Sequence, residues 1–304
     1  MSGRIVSIVD DYGYDKMIVD LNRLCSANPF LQLSYIGESV MGKPIPAIQI
    51  GTGDVRIHYN AAFHANEWIT SLIALVFLEE YGNAIRTDSF ILDRRAIDLF
   101  RRTTLYMVPM VNPDGVDLVQ YGVNESHPFY ELLMQWNESS CDYSQWKSNI
   151  RGVDLNDQFP AHWEIETLRR NPTGPGPRDY PGEAPLSEPE AVALADFTKH
   201  NNFHLVIALH TQGREIYWNY RDYEPIRACW IAEQLAAVSG YKAVKLTDSD
   251  AGYKDWFIQE FRRPGFTVEV GFGSNPLPIG QFYDIYEEAR TILVLGLSLC
   301  SLSD

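Results

Sequence analysis

An α/β fold, with a mostly parallel sheet covered by helices on both faces, is what this 304-residue sequence predicts, and three features carry the prediction. Strand-like and helix-like segments alternate along the chain. Several of the strands are apolar throughout, as strands buried on both faces must be. The 45% hydrophobic and 12% aromatic content is that of a chain with a sizeable core, not of a disordered one.

The elements follow in order. Met17, Ile18, Leu21 and Leu24 fall at helical spacing, which predicts a helix over 14–27. IPAIQIG at 45–51 and VRIHYNAAF at 55–63 read as strands around a Gly-rich turn at 51–53. From Glu67, EWITSLIALVFLEEYG is apolar almost all round, so it reads as a buried helix with Gly82 as its expected stop. LYMVPMV at 105–111 is a further strand, closed by Asn-Pro-Asp-Gly. Residues 120–186 are rich in Pro, Gly, Asn and aromatics and read as one long loop, functional or disordered. Ser187 and Glu190 then carry a capping-box signature for a helix. FHLVIALH at 203–210 is a strand, 224–239 and 253–262 are helices, GFTVEVGF at 265–272 is a strand, and 280–300 is the last helix. No repeat or linker interrupts this order, so residues 1–304 read as a single domain.

Charge and cysteine usage exclude several classes. The net charge is −15, and no Lys/Arg cluster stands ready for phosphates, which argues against nucleic acid as a partner. The same charge disfavours anionic lipid. No run of about 18 apolar residues is present to span a membrane. The start, MSGRIVSIVDDYGYDKM, lacks the apolar stretch of a signal peptide, so a cytoplasmic location is expected. Cys25, Cys141, Cys229 and Cys300 form no CxxC pair. Free thiols in a reducing compartment are expected, and any metal falls to His and carboxylate ligands.

Three groups with reactive chemistry sit at the C-terminal ends of predicted strands, where open α/β sheets place their binding crevices. They are the His64-Ala65-Asn66-Glu67 corner, His210 closing FHLVIALH, and Glu269 within GFTVEVGF. Two His and one Glu, with a fourth position left to water, form a catalytic zinc set. Such an ion lowers the pKa of water to about 7 and polarises a carbonyl. A separate carboxylate must then take the water proton and pass it to the leaving nitrogen. Glu269 is the candidate, because a carboxylate in a buried strand needs a partner. Each group also has a plainer reading: a solvated HxxE pair, a hydrogen-bonded core histidine, a Glu paired with Arg or Lys. The same donors also suit Fe(II) or Co(II).

Seven segments in order, IGESVMGKPIPAIQIG, HANEW, PMVNPDGV, RGVDLN, YPGEAPLSEPE, IALHTQG and TVEVGF, resemble the zinc carboxypeptidase family over essentially the whole chain. The resemblance implies a mixed, mostly parallel twisted sheet and one Zn2+ per chain on His64, Glu67 and His210. It implies Glu269 as general base, Asp154 as support for His64, and Asn156 as a holder of the substrate terminus. The family's oxyanion-stabilising cation aligns with Lys147, with Arg151 as a weaker substitute. Two departures bear on substrate. The family's DLNR reads DLND here, so Asp157 replaces the guanidinium that grips a C-terminal carboxylate and suits an ammonium instead. Lys254 takes the position that sets side-chain preference at the pocket floor and favours an acidic group.

An acidic group at one point and an ammonium at another describe the peptidoglycan stem peptide. RGVDLNDQFPAHWE is similar to the branch of the family that cleaves γ-D-glutamyl-diaminopimelate bonds. The expected activity is therefore zinc-dependent hydrolysis of that amide in a muropeptide. The alternatives are an ordinary metallocarboxypeptidase, a small-molecule deacylase with the same metal layout, and a peptide-binding protein that has lost catalysis. His162 is a further candidate for the cleft wall.

Overall fold

The computed structural model describes residues 4–299, so Cys300 lies outside it. One sheet of eight strands organises the chain. Its members are β1 (Gln32–Glu38), β2 (Pro44–Gly51), β3 (Val55–Ala61), β6 (Thr103–Val108), β7 (Leu205–His210), β8 (Glu215–Tyr217), β9 (Lys242–Val244) and β10 (Gly265–Glu269). A small separate hairpin holds β4 (Phe90–Ile91) and β5 (Arg94–Arg95). The strand order is β1-β2-β6-β3-β7-β10-β8-β9. The central run β6-β3-β7-β10 is parallel, whereas β1, β2 and β8 join antiparallel. The sheet is mixed and mostly parallel.

Alternation along the strands divides the core between two faces. Ile57, Tyr59, Leu205, Ile207 and Leu209 share one buried cluster with Leu21, Leu72, Leu235 and Leu293. Those partners come from α1 (Tyr14–Ala27), α2 (Ile69–Arg86), α8 (Arg227–Ser239) and α10 (Phe282–Leu299). Val206 and Ala208 point the other way, into a cluster with Leu194 of α7 (Pro189–Asn201) and Phe257 of α9 (Tyr253–Phe261). Helices therefore cover both faces.

Several boundaries differ from those expected. The Glu67 segment opens with a 3-10 turn, Ala65–Glu67, and the helix proper runs through Gly82 to Arg86. Gly82 is small because Asn28 packs against it: an added Cβ would lie 3.3 Å from that side chain. The Ser187–Glu190 capping box does not form, since α7 starts at Pro189 behind Glu188. Other partners take up the two side chains instead. Ser187 donates to Gln158 and Glu188, while Glu190 accepts from the Val40 amide at 3.1 Å. The 120–186 stretch carries α5 (Tyr130–Trp136) and α6 (Trp163–Arg170). Strands β1, β8 and β9 and helices α3 (Ala96–Arg102) and α4 (Pro113–Tyr121) complete the parts not anticipated. Cys25, Cys141 and Cys229 are free thiols. No helix of the described residues is long and apolar enough to cross a membrane.

Candidate metal centre and active site

The strands β3, β7 and β10 are neighbours, so whatever follows or ends them gathers at one edge of the sheet. β7 ends on His210 and β10 on Glu269, which the parallel register sets side by side. Beyond β3 the chain reaches His64, and the 3-10 turn that follows brings Glu67 back toward its ring. The amide of Ala65 donates to the Lys147 carbonyl at 2.9 Å, which ties this corner to the segment carrying Lys147.

His64 Nδ1 lies 2.9 Å from Glu67 Oε1, His210 Nδ1 lies 3.0 Å from Glu67 Oε2, and the two Nδ1 atoms are 3.2 Å apart. These three residues are buried and form the one cluster of potential metal ligands among the described residues. Ligand atoms at 2.0–2.1 Å from a tetrahedral zinc are separated by about 3.3 Å, the edge of the tetrahedron. The 3.2 Å between the imidazole nitrogens is near that edge, the carboxylate lies somewhat closer with one oxygen to each ring, and the donor set is the two-imidazole, one-carboxylate set that zinc takes at catalytic sites.

The outer contacts orient the ligands. His64 Nε2 faces Asp154 Oδ1 at 3.2 Å, so in the neutral ring Nδ1 is the nitrogen open to a metal. The His210 ring stacks on Phe63, and its buried Nε2 has no partner, so packing sets its orientation. Glu67 accepts from the Thr211 amide at 3.1 Å and from the Asn275 side chain at 3.4 Å. Burial opposes charge on His64, but the Glu67 and Asp154 carboxylates outweigh it and carry the ring to about 10. Burial, opposed by the charge on Glu67, lowers His210 instead.

Glu269 is raised to about 8 by burial and then by the Glu67 charge. Lys147 Nζ sits 3.6 Å from Glu67 Oε1. Burial works against its charge, yet Glu67, Asp154 and Glu269 together hold it above the usual lysine range. The Lys147 ammonium is therefore held charged beside Glu67, Asp154 and Glu269.

A family model described as zinc carboxypeptidase matches residues 17–292. This chain belongs to the zinc carboxypeptidase family. It is similar to γ-D-glutamyl-L-diamino acid endopeptidase 1 of Lysinibacillus sphaericus, 52% identical over 98% of this chain and 75% of that one. Carboxypeptidase B of Rattus norvegicus is 26% identical over 88% of this chain and 66% of its own length. The crystal structure of thrombin-activatable fibrinolysis inhibitor superimposes with a TM-score of 0.79 at 18% identity, over 99% of this chain and 77% of that one, which shows the shared fold. The chain is a zinc metallopeptidase.

Asn156 follows Asp154 in a 3-10 turn, and its Oδ1 accepts from the Tyr253 amide at 3.3 Å. Asp157 is 3% exposed and pairs with Arg170 of α6, whose Nε lies 3.1 Å from its Oδ2. Burial and the Asp154 charge raise Asp157, and Arg170 opposes them. Lys254 is 5% exposed, and its Nζ donates to the Asn219 carbonyl and to the Asp255 carboxylate. Both charged side chains are thus engaged within the protein. Arg151 points to Glu188 at 3.6 Å. The His162 ring meets the Tyr220 hydroxyl at 2.9 Å. The Tyr253 hydroxyl is buried against Thr198.

Three groups escaped the sequence reading. Asn275 reaches Glu67 from a Ser-Asn-Pro stretch that reads as an ordinary turn. Arg170 belongs to a helix inside the stretch read as a loop. Glu215 and Tyr217 lie on β8, which is too short for its alternation to be visible.

Proposed function

We propose that this metallopeptidase hydrolyses the γ-D-glutamyl-diaminopimelate amide of peptidoglycan stem peptides, with one zinc per chain held by His64, Glu67 and His210. The convergence of those three donors to tetrahedral spacing, with Glu269 beside them, carries the reading. The zinc, when bound, lowers the pKa of water and polarises the carbonyl under attack.

Glu269 takes the proton of the attacking water and delivers it to the amide nitrogen as the carbon–nitrogen bond breaks, leaving a carboxylate and a free amine. Lys147 supplies positive charge to the oxygen of the tetrahedral intermediate; as a cation already in place it needs no reorganisation during the reaction. Asp154 holds His64 in the tautomer that offers Nδ1. Asn156, Asp157 and Lys254 shape the substrate site. Asp157 acts as half of its pair with Arg170, and Lys254 as half of its pair with Asp255. Support for the substrate comes from the name of the Lysinibacillus relative, which covers nearly all of this chain.

Mass spectrometry of muropeptides treated with the zinc-loaded protein tests this reading. Cleavage between D-glutamate and diaminopimelate, abolished by a chelator and restored by zinc, is the expected result. Release of single C-terminal residues from ordinary peptides, with the γ-D-glutamyl bond left intact, would establish a metallocarboxypeptidase instead.

A further inference from the structure

β8 flanks β10 on the side away from β7. Its antiparallel register sets Glu215 level with Glu269 and Tyr217 level with Thr267. On the other flank His210 is level with Glu269 and Ala208 with Thr267. Residues level across neighbouring strands point to the same face. His210, Glu269 and Glu215 therefore form one row, and Ala208, Thr267 and Tyr217 the next. The intervening Leu209, Val268 and Ile216 all belong to the core of the opposite face, which fits this assignment.

The Tyr217 hydroxyl donates to Glu215 Oε2 at 2.7 Å and so fixes the carboxylate. Among the described residues no Lys or Arg pairs with Glu215, and the chemistry assigned above makes no use of it. Thr267 is 8% exposed, lies on this same face, and its hydroxyl makes no hydrogen bond within the described protein. A half-buried carboxylate without a cation and a hydroxyl without a partner thus stand on adjacent strands, both able to accept from a donor. An ammonium satisfies both, because it carries three donors in a compact charge.

We infer that Glu215, oriented by Tyr217 and assisted by Thr267, is the receptor for an ammonium group of the substrate beside the catalytic Glu269. Resting on the function proposed above, the group is the second amine of the diamino acid. Glu215 thereby selects diamino acids over residues with the same skeleton and no second amine.

The test uses the zinc-loaded chain and two peptides, γ-D-glutamyl-diaminopimelate and γ-D-glutamyl-2-aminopimelate, which differ only in that amine. The ratio of their kcat/KM values is measured for the wild type, Glu215→Gln and Tyr217→Phe. Binding of free diaminopimelate and 2-aminopimelate is measured by calorimetry, which needs no turnover. A charged hydrogen-bonded contact corresponds to a wild-type preference of about 10- to 100-fold for the amine. Glu215→Gln should bring the ratio to within about threefold of unity, and Tyr217→Phe should lower it severalfold. A ratio unchanged in Glu215→Gln, or a wild type with no preference, overturns the inference. Should Glu215→Gln fail to fold, an unchanged ratio in Tyr217→Phe overturns it equally. Preferential binding without cleavage of either peptide would sink the proposed reaction and keep the ammonium site. Equal cleavage of both would do the reverse.

Discussion

Glu269 stands level with His210 across the parallel pairing of β10 and β7, so a carboxylate outside the candidate ligand set sits beside an imidazole inside it. This one register separates the residue proposed to move the proton from the residues proposed to hold the metal. Glu269→Gln should therefore lower kcat by about 100- to 10,000-fold while zinc content stays at that of the wild type. Turnover assays paired with elemental analysis check it. Loss of zinc together with activity would place Glu269 among the ligands.

Asp154 reaches the metal only through His64 Nε2. Asp154→Asn should weaken zinc affinity by about 10- to 100-fold and leave the fold intact. Competition against a chromophoric chelator measures this. An unchanged affinity would make the contact incidental.

Metal removal should leave a proton in the site. With the Glu67 and Asp154 carboxylates outweighing burial, His64 rises to about 10 from its ordinary 6.5. Zinc uptake near pH 8 must then expel the proton from His64, and affinity must fall with falling pH. Calorimetry in buffers of different ionisation enthalpy counts the protons released. For the metal-free protein the raised pKa means a stabilisation fully present below about 6.5 and lost as pH rises through about 10.

Glu190 offers a pH test away from the metal. Burial, the largest cause, pushes it to about 7 from 4.5. A raised folded-state pKa favours the protonated form, so its contribution is fully present below 4.5 and lost as pH rises through 7. Glu190→Gln should remove that loss, for a relative gain of at most about 3 kcal/mol at pH 8.5 compared with pH 4.5. Thermal unfolding at the two pH values decides it; parallel curves for variant and wild type would contradict it.

Arg170 pairs with the almost completely buried Asp157 and also with Glu166 and Asp179. Arg170→Ala should cost roughly 3 kcal/mol or more, because Asp157 would be left uncompensated. Denaturant unfolding measures the cost. A variant as stable as the wild type would show Asp157 to be neutral in the folded protein.

The convergence of the three candidate ligands was legible because each follows an apolar strand of ordinary length, and strand ends are where an open parallel sheet exposes side chains. Glu269 stood out because a carboxylate inside a hydrophobic run demands a reason. The local surroundings of Asp157 and Lys254 were not legible. Arg170 beside Asp157 and the Asn219 carbonyl beside Lys254 are brought in by chain folding and not by spacing, although Asp255, the other partner of Lys254, is its neighbour in sequence. Gly82 misled for the same reason: its smallness serves a contact with Asn28, distant in sequence, and not a helix end. Glu215 went unnoticed because β8 has only three residues, too few to show a period of two.

The central claim is tested most directly by diffraction from zinc-soaked crystals, with anomalous data collected at the zinc edge. One peak should lie about 2.0–2.2 Å from His64 Nδ1, His210 Nδ1 and a Glu67 oxygen, with Glu269 outside the coordination sphere. A peak at another site, or a zinc ligated by Glu269 in place of either histidine, would contradict the account.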